Sequence, residues 1–245
     1  MEVKLFGIDL NFRQAIVEIL IIVVGVLIAL GIDSWNNNRI DRNIEAGYLF
    51  RLAEDAAYNA DQGIEVIKAL ERKRVRLDQL AKIASNSQTT GMVASKTVLA
   101  LIGAGTDLGW SFPDFRTNTF DELTTTGRLS LIQDIELRTA ITNYNAGLRD
   151  TVGRVDARRT DYPSYVYTLL QPEQMIELSD LKSPLPNIDA NVSVGERVTA
   201  AIVSSEFTGL LNAERNYAEF AVQQMTKRNL HSKEILQLLN QAMTK

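Results

Sequence analysis

A chain of 245 residues carrying 26 basic and 30 acidic side chains, with a formal charge of −4, lacks the basic excess that nucleic-acid binding needs. One histidine and no cysteine leave zinc and transition-metal centres almost nothing to draw on. Apolar residues make up 45% of the chain, and its length is ample for a packed core.

The leader, residues 1–14, reads "MEVKLFGIDLNFRQ" and mixes Glu2 and Asp9 with Lys4 and Arg13. The greasiest stretch follows. Ile19 to Ile32 is uninterrupted by polar residues and rises about 21 Å as a helix, short of a hydrocarbon core of roughly 30 Å. Extended from Ala15 to Trp35 it reaches about 30 Å, provided Glu18 lies near one surface and Asp33 near the other. Trp35 then occupies the aromatic-belt position. A soluble core helix would show a polar face, and none is visible. A secretion signal would have a cleanly basic leader and small residues at its cut, whereas Ala29-Leu30-Gly31 is a poor site. Residues 15–35 therefore read as an uncleaved transmembrane helix, with the lipid bilayer as its partner.

Two features inside this segment point to helix contacts. Gly25 and Ala29 form a small-xxx-small pattern, with Gly31 beyond, and small residues let helices pack closely in lipid. Glu18 is an ionisable group within the span and is a candidate for an interfacial or partner-helix contact. Orientation is set by Lys4 and Arg13 on one side against Arg39 and Arg42 on the other, a slight margin for the N-terminus inside.

From Ile40 the apolar residues recur in threes and fours through Ile44, Tyr48, Leu52, Ala56, Ala60, Gly63, Ile67, Leu70, Leu77, Leu80 and Ala84. This predicts a long stalk or bundle helix over residues 36–86, with a possible break at the weak helix formers Asn36, Asn37 and Asn38. All five prolines lie between Pro113 and Pro186, so the flanking segments are free to be long helices.

"SNSQTTG" at 85–91 reads as a turn, followed by a short helix near 95–102. "FDELTTTG" predicts a short helix capped by Gly127. A longer helix carries Ile135, Ile141, Tyr144, Leu148, Val152 and Val155. Residues 162–194 hold four prolines and read as irregular, with one helical turn at 164–170. The last helices cover about 195–204 and 206–242, with Phe207, Leu211, Ala218, Ala221, Met225, Ile235 and Leu239 facing the core. No strand is evident. The fold class is all-α: one transmembrane helix continuing into a stalk and an antiparallel bundle, with 87–245 packed against 36–86 as one domain.

Catalytic constellations are missing from the sequence. "GMVASKT" at 91–97 lacks the glycine before the lysine of a phosphate loop, and "GAGTDLG" at 103–109 follows no predicted strand. Asp121 and Glu122 are adjacent, and adjacent helix residues do not face each other. Arg154, Arg158 and Arg159 lie among Asp150, Asp156 and Asp161, the pattern of a solvated mixed-sign face. His231, on the final helix, is read as exposed or capping. No cofactor and no enzyme activity are expected.

Two stretches carry a resemblance. Glu18, Gly25, Val26, Leu27, Ile28, Ala29, Leu30, Trp35 and Asn36 match the anchor of a family of uncharacterised bacterial single-pass membrane proteins. Phe120, Glu122, Leu123, Thr126, Gly127 and Leu129 are similar to that family's central segment. Val17 departs from it, standing where the family usually has a glycine. The resemblance implies a bacterial inner-membrane topology and no particular chemistry.

The expected function is interaction: a homo-oligomeric scaffold, or an accessory subunit working with other membrane-protein subunits, its main domain in the periplasm. The alternative is an extracytoplasmic ligand-binding or sensing module whose pocket would be lined by Trp110, Phe112, Phe115 and Phe120.

Overall fold

The computed structural model describes residues 4–5, 8–9, 12–87, 96–106, 114–170 and 196–244. Among them, seven α-helices follow a two-stranded antiparallel ladder. Strands β1 (Lys4–Leu5) and β2 (Ile8–Asp9) pair Lys4 with Asp9 and Leu5 with Ile8. Elements of two residues are too short to show an alternating pattern, which is why the sequence reading finds no strand.

Helix α1 (Phe12–Ser87) is a single 76-residue element, roughly 110 Å long. It contains both the apolar segment and the stalk, and it starts before Ala15. The three asparagines do not break it. Asn37 donates to Asp33 one turn back at 3.3 Å, and Arg39 donates to Asn36 at 3.4 Å. Side chains thus bond along the helix surface instead of competing for the backbone. The propensity cost, below about 0.7 kcal/mol per asparagine, is too small to end a helix this long.

Helix α2 (Lys96–Ala104) lies against the distal part of α1. Helix α3 (Asn118–Thr125) and a 3₁₀ turn (Arg128–Leu131) pack near the other end of the bundle. Helix α4 (Ile135–Asp156) opens on Asp134, whose side chain accepts from Leu137 N at 3.0 Å. Helix α5 (Tyr162–Leu169), α6 (Glu196–Ile202) and α7 (Ser205–Met243) complete the set. The helical turn expected at 164–170 is present and begins earlier, at Tyr162, because Pro163 stands in the first turn, where a missing N–H costs nothing. Residues 171–194, expected to be irregular, lie outside the described residues.

The bundle is antiparallel. Asp78 of α1 meets Arg215 of α7 at 2.7 Å, Arg74 meets Glu219 at 3.1 Å, and the line ends with Leu52 near Leu239. All seven core positions predicted for α7 are buried. On α4, Ile141, Tyr144, Leu148 and Val155 are buried, whereas Val152 is half-buried and Ile135 is 67% exposed. At 100° per residue Ile135, the first residue of its helix, falls on the side of α4 opposite Leu137, Leu148 and Val155, so it faces outward.

Three apolar clusters succeed one another along the long axis. The one nearest the apolar segment joins Tyr48, Leu49 and Leu52 to Phe120, Ile132, Ile141 and Ile235. The middle one holds Leu70, Val155, Tyr217, Ala221 and Met225. The distal one joins Leu77, Leu80, Val98, Ile102, Tyr162, Phe207 and Leu211. Below Tyr48 the apolar packing stops, although Glu45 still accepts from Gln133 N at 2.8 Å. Ile40 and Ile44 continue the buried row toward the apolar segment and are exposed.

Candidate functional site

Every residue from Ile16 to Trp35 is exposed in the folded chain. The most apolar window of α1 has a mean hydropathy of 2.7, none of it covered by protein. α1 is the one helix among the described residues long and apolar enough to cross a membrane. At 100° per residue, Glu18, Gly25, Ala29 and Asn36 fall within a narrow stripe along it. Gly31 lies on the opposite side and does not belong to that stripe. A Cβ added at Gly25 or Gly31 would meet nothing within 4 Å, so the bundle does not use either glycine for packing. Trp35 ends the segment at 67% exposure, with the Arg39 guanidinium 5.9 Å from its ring centre.

The aromatic group suggested as a pocket is divided. Trp110 and Phe112 lie outside the described residues. Phe115 is half-buried between two apolar clusters, and Phe120 is buried in the cluster nearest the apolar segment. The space beside Phe120, bounded also by Leu52, Ile141 and Tyr144, is about 10 Å³, room for a single water. Phe115 and Phe120 therefore serve as core.

Two polar layers separate the three apolar clusters, and these the sequence reading missed. The first is centred on Asn59, which is fully buried. Its Nδ2 donates to Arg116 O at 2.9 Å while its Oδ1 accepts from Arg116 N at 2.7 Å, pinning the segment before α3 to α1. Asn59 Nδ2 also donates to the Tyr144 hydroxyl at 3.2 Å. Ser232 Oγ donates to Arg228 O at 3.2 Å, so its 3.0 Å contact with Tyr144 is one in which the phenol donates. Burial raises the Tyr144 pKa, and the hydrogen bond it accepts from Asn59 opposes that shift. Arg228 lies in the same layer, 7% exposed, with its Nε donating to Thr151 Oγ1 and its Nη1 to Tyr144 O, both at 3.3 Å. The guanidinium lies against Gly147, where a Cβ would stand 2.3 Å from Nη2. Burial lowers the Arg228 pKa.

The second layer is a buried ion pair. Lys73 Nζ meets Glu214 Oε1, both side chains 2% exposed or less, and Thr160 Oγ1 donates to Glu214 Oε2. The ammonium also lies 5.6 Å from the Tyr217 ring centre. Tyr217 is pushed up by burial and then by the Glu214 charge. A signal for these residues exists in the sequence. Lys73 lies three after Leu70 and four before Leu77, and Glu214 lies three after Leu211 and four before Ala218. Both occupy core positions of a three–four repeat despite their charge.

The Glu122–Leu123 segment builds a surface cluster. Glu122 accepts from Tyr48 OH at 2.8 Å and from both Arg51 terminal nitrogens, at 2.8 and 3.3 Å. The Arg51 hydrogen bond, followed by that of Tyr48, holds the Glu122 carboxyl below its ordinary range. Asp121 points elsewhere, to Arg149. Asp55 of α1 accepts from Thr119 N at 3.3 Å and supplies the cap that Thr117 does not. Gly127, with φ +68°, terminates α3 as expected.

Other candidate segments resolve simply. Lys96 begins α2, and residues 91–95 lie outside the described residues. Gly103 to Thr106 close α2, with 107–109 also outside. On the mixed-sign face, Arg154 pairs with Asp150, Arg159 with Asp156, and Arg158 stacks 3.9 Å from the Phe220 ring centre. His231 is half-buried and borders an open groove between α4 and α7. Among the described residues no three His, Cys, Asp or Glu side chains are grouped to hold a metal ion.

Comparison of the chain with protein-family models, curated proteins and solved structures finds no match to any of them.

Proposed function

We propose that this protein is a single-pass membrane protein of the bacterial inner membrane whose periplasmic helical bundle works by interaction, as a homo-oligomeric scaffold or an accessory subunit of a larger membrane complex. One observation carries the reading: the apolar part of α1 is wholly uncovered while the rest of the same helix is the central stave of a packed bundle. Water would leave that segment at heavy cost, since apolar surface disfavours exposure by about 25 cal/mol per Å². Lipid removes the cost. Within lipid, the Glu18–Gly25–Ala29 stripe offers a second helix close approach and a hydrogen-bonding carboxyl. The family resemblance of the anchor and of the Glu122 segment supports the bacterial inner-membrane setting.

Native mass measurement of the intact protein in mild detergent tests this. The expected result is an oligomer or a particle with a co-purifying membrane protein, and its dissociation in the Gly25→Leu, Ala29→Leu double variant. A monomeric particle with no companion overturns the interaction reading. Protease digestion of spheroplasts tests orientation, with the bundle degraded and the leader protected.

A further inference from the structure

The geometry points to a binding site for a small amphipathic monocarboxylate, an aliphatic acid, in the groove between α4 and α7. This groove has a volume of about 270 Å³ and is lined by Ala140, Tyr144, Arg228, His231, Ile235 and Leu238, with Asn143 and Glu234 at its edges. The size approaches the lower end of small-molecule sites, about 300 Å³.

Arg228 carries the argument. It is more than nine-tenths buried, yet its two hydrogen bonds go to neutral oxygens, and no carboxylate forms an ion pair with it among the described residues. The contrast with the other buried cation is direct, since Lys73 has Glu214. The opposite charge of Asp150 acts on this guanidinium without pairing with it, and Asp150 itself pairs with Arg154. The desolvation of Arg228 is therefore only partly offset, and an anion entering the groove that it lines completes the compensation. His231, one turn on, borders the same space.

The rest of the groove sets the kind of anion. Arg228, His231, Ile235 and Leu238 follow one another at steps of three and four, so they share a face of α7. Ile235, Leu238 and Ala140 make one end apolar, and α7 runs toward the apolar segment of α1, so this is also the end nearer the proposed membrane. Leu238 is 44% exposed and free to accept a tail. Glu234 also lines the groove, and its charge opposes anions increasingly with their charge, so a single negative charge held at Arg228 is favoured over two. One carboxylate at Arg228 with an aliphatic chain laid along Ile235 and Leu238 satisfies both ends. The site is independent of the oligomerisation reading.

Equilibrium dialysis of radiolabelled octanoate against the full chain in zwitterionic lipid nanodiscs tests it, with empty nanodiscs as the reference. The expected result is saturable uptake above the reference. The affinity should fall at least tenfold in Leu238→Asp and in Arg228→Gln, with helicity and melting temperature of the surface variant Leu238→Asp unchanged. Acetate and inorganic phosphate are expected to compete poorly. Uptake equal to that of empty nanodiscs, wild-type affinity in Leu238→Asp, or competition by acetate or phosphate as strong as by octanoate overturns the proposal.

Discussion

Lys73 and Glu214 show how much one side chain can decide in this bundle. Their charges are removed from water and answered by each other, by the Thr160 hydroxyl and by the Tyr217 ring. Removing one partner strands the other: Lys73→Met should destabilise by about 3–5 kcal/mol, read from urea unfolding of the intact protein in detergent. The double variant Lys73→Met, Glu214→Leu should recover most of that loss, because an apolar pair of similar volume has no desolvation to repay. Non-recovery would show that the pair has a role other than mutual neutralisation. Asn59 is the neutral counterpart. Asn59→Leu leaves the Arg116 N–H and C=O without their partners and should cost about 1–3 kcal/mol per orphaned group.

At the scale of elements, the long helices were legible in the sequence and the short ones only partly so. The α7 core row emerged intact because its repeat runs over many turns and each of its seven predicted positions is buried. Ile135 failed because it is out of phase with the buried row of α4, falling on the side opposite Leu137 and Leu148. The buried Lys73, Glu214 and Arg228 were hidden for another reason: charge is the usual mark of an outer face, and here position in the repeat overrode it. Asn36–Asn38 failed to end α1 because side-chain bonds along the helix offset weak propensity. The anchor stripe was half visible, since Gly25 and Ala29 fit it and Gly31 does not. The groove beside Arg228 required two helices to be placed together and could not be read from either alone. Gly127 was legible outright, and its φ of +68° makes the sign of a substitution clear. Gly127→Ala should destabilise by about 1–2 kcal/mol even though a Cβ there meets no neighbour, a loss measurable as a lower melting temperature.

For the whole molecule, titration bounds the stable range. Glu122 has a folded pKa below its ordinary value, near 4.3, so its contribution is present above that pH and is lost as pH falls through the folded value. Tyr144, Tyr162 and Tyr217 are all raised by burial, so their contribution is present below the ordinary phenol value, near 10, and is lost as pH rises beyond it. Melting temperature against pH should therefore form a plateau that falls at both ends. Glu122→Gln should flatten the acid limb and leave the alkaline one in place. An unchanged acid limb would remove Glu122 from the account.

The unbroken course of α1 through Asn36–Asn38 ties the bundle to the apolar segment without a joint. Rotation about the long axis is then fixed by residue count. One residue inserted between Trp35 and Tyr48 turns the Glu18 stripe by about 100° relative to the groove beside Arg228, whereas seven bring it back to within about 20°. A helix packing on the Glu18 stripe would thereby dictate which side of the bundle faces a neighbour, and the spacing between the two parts would act as a keyway.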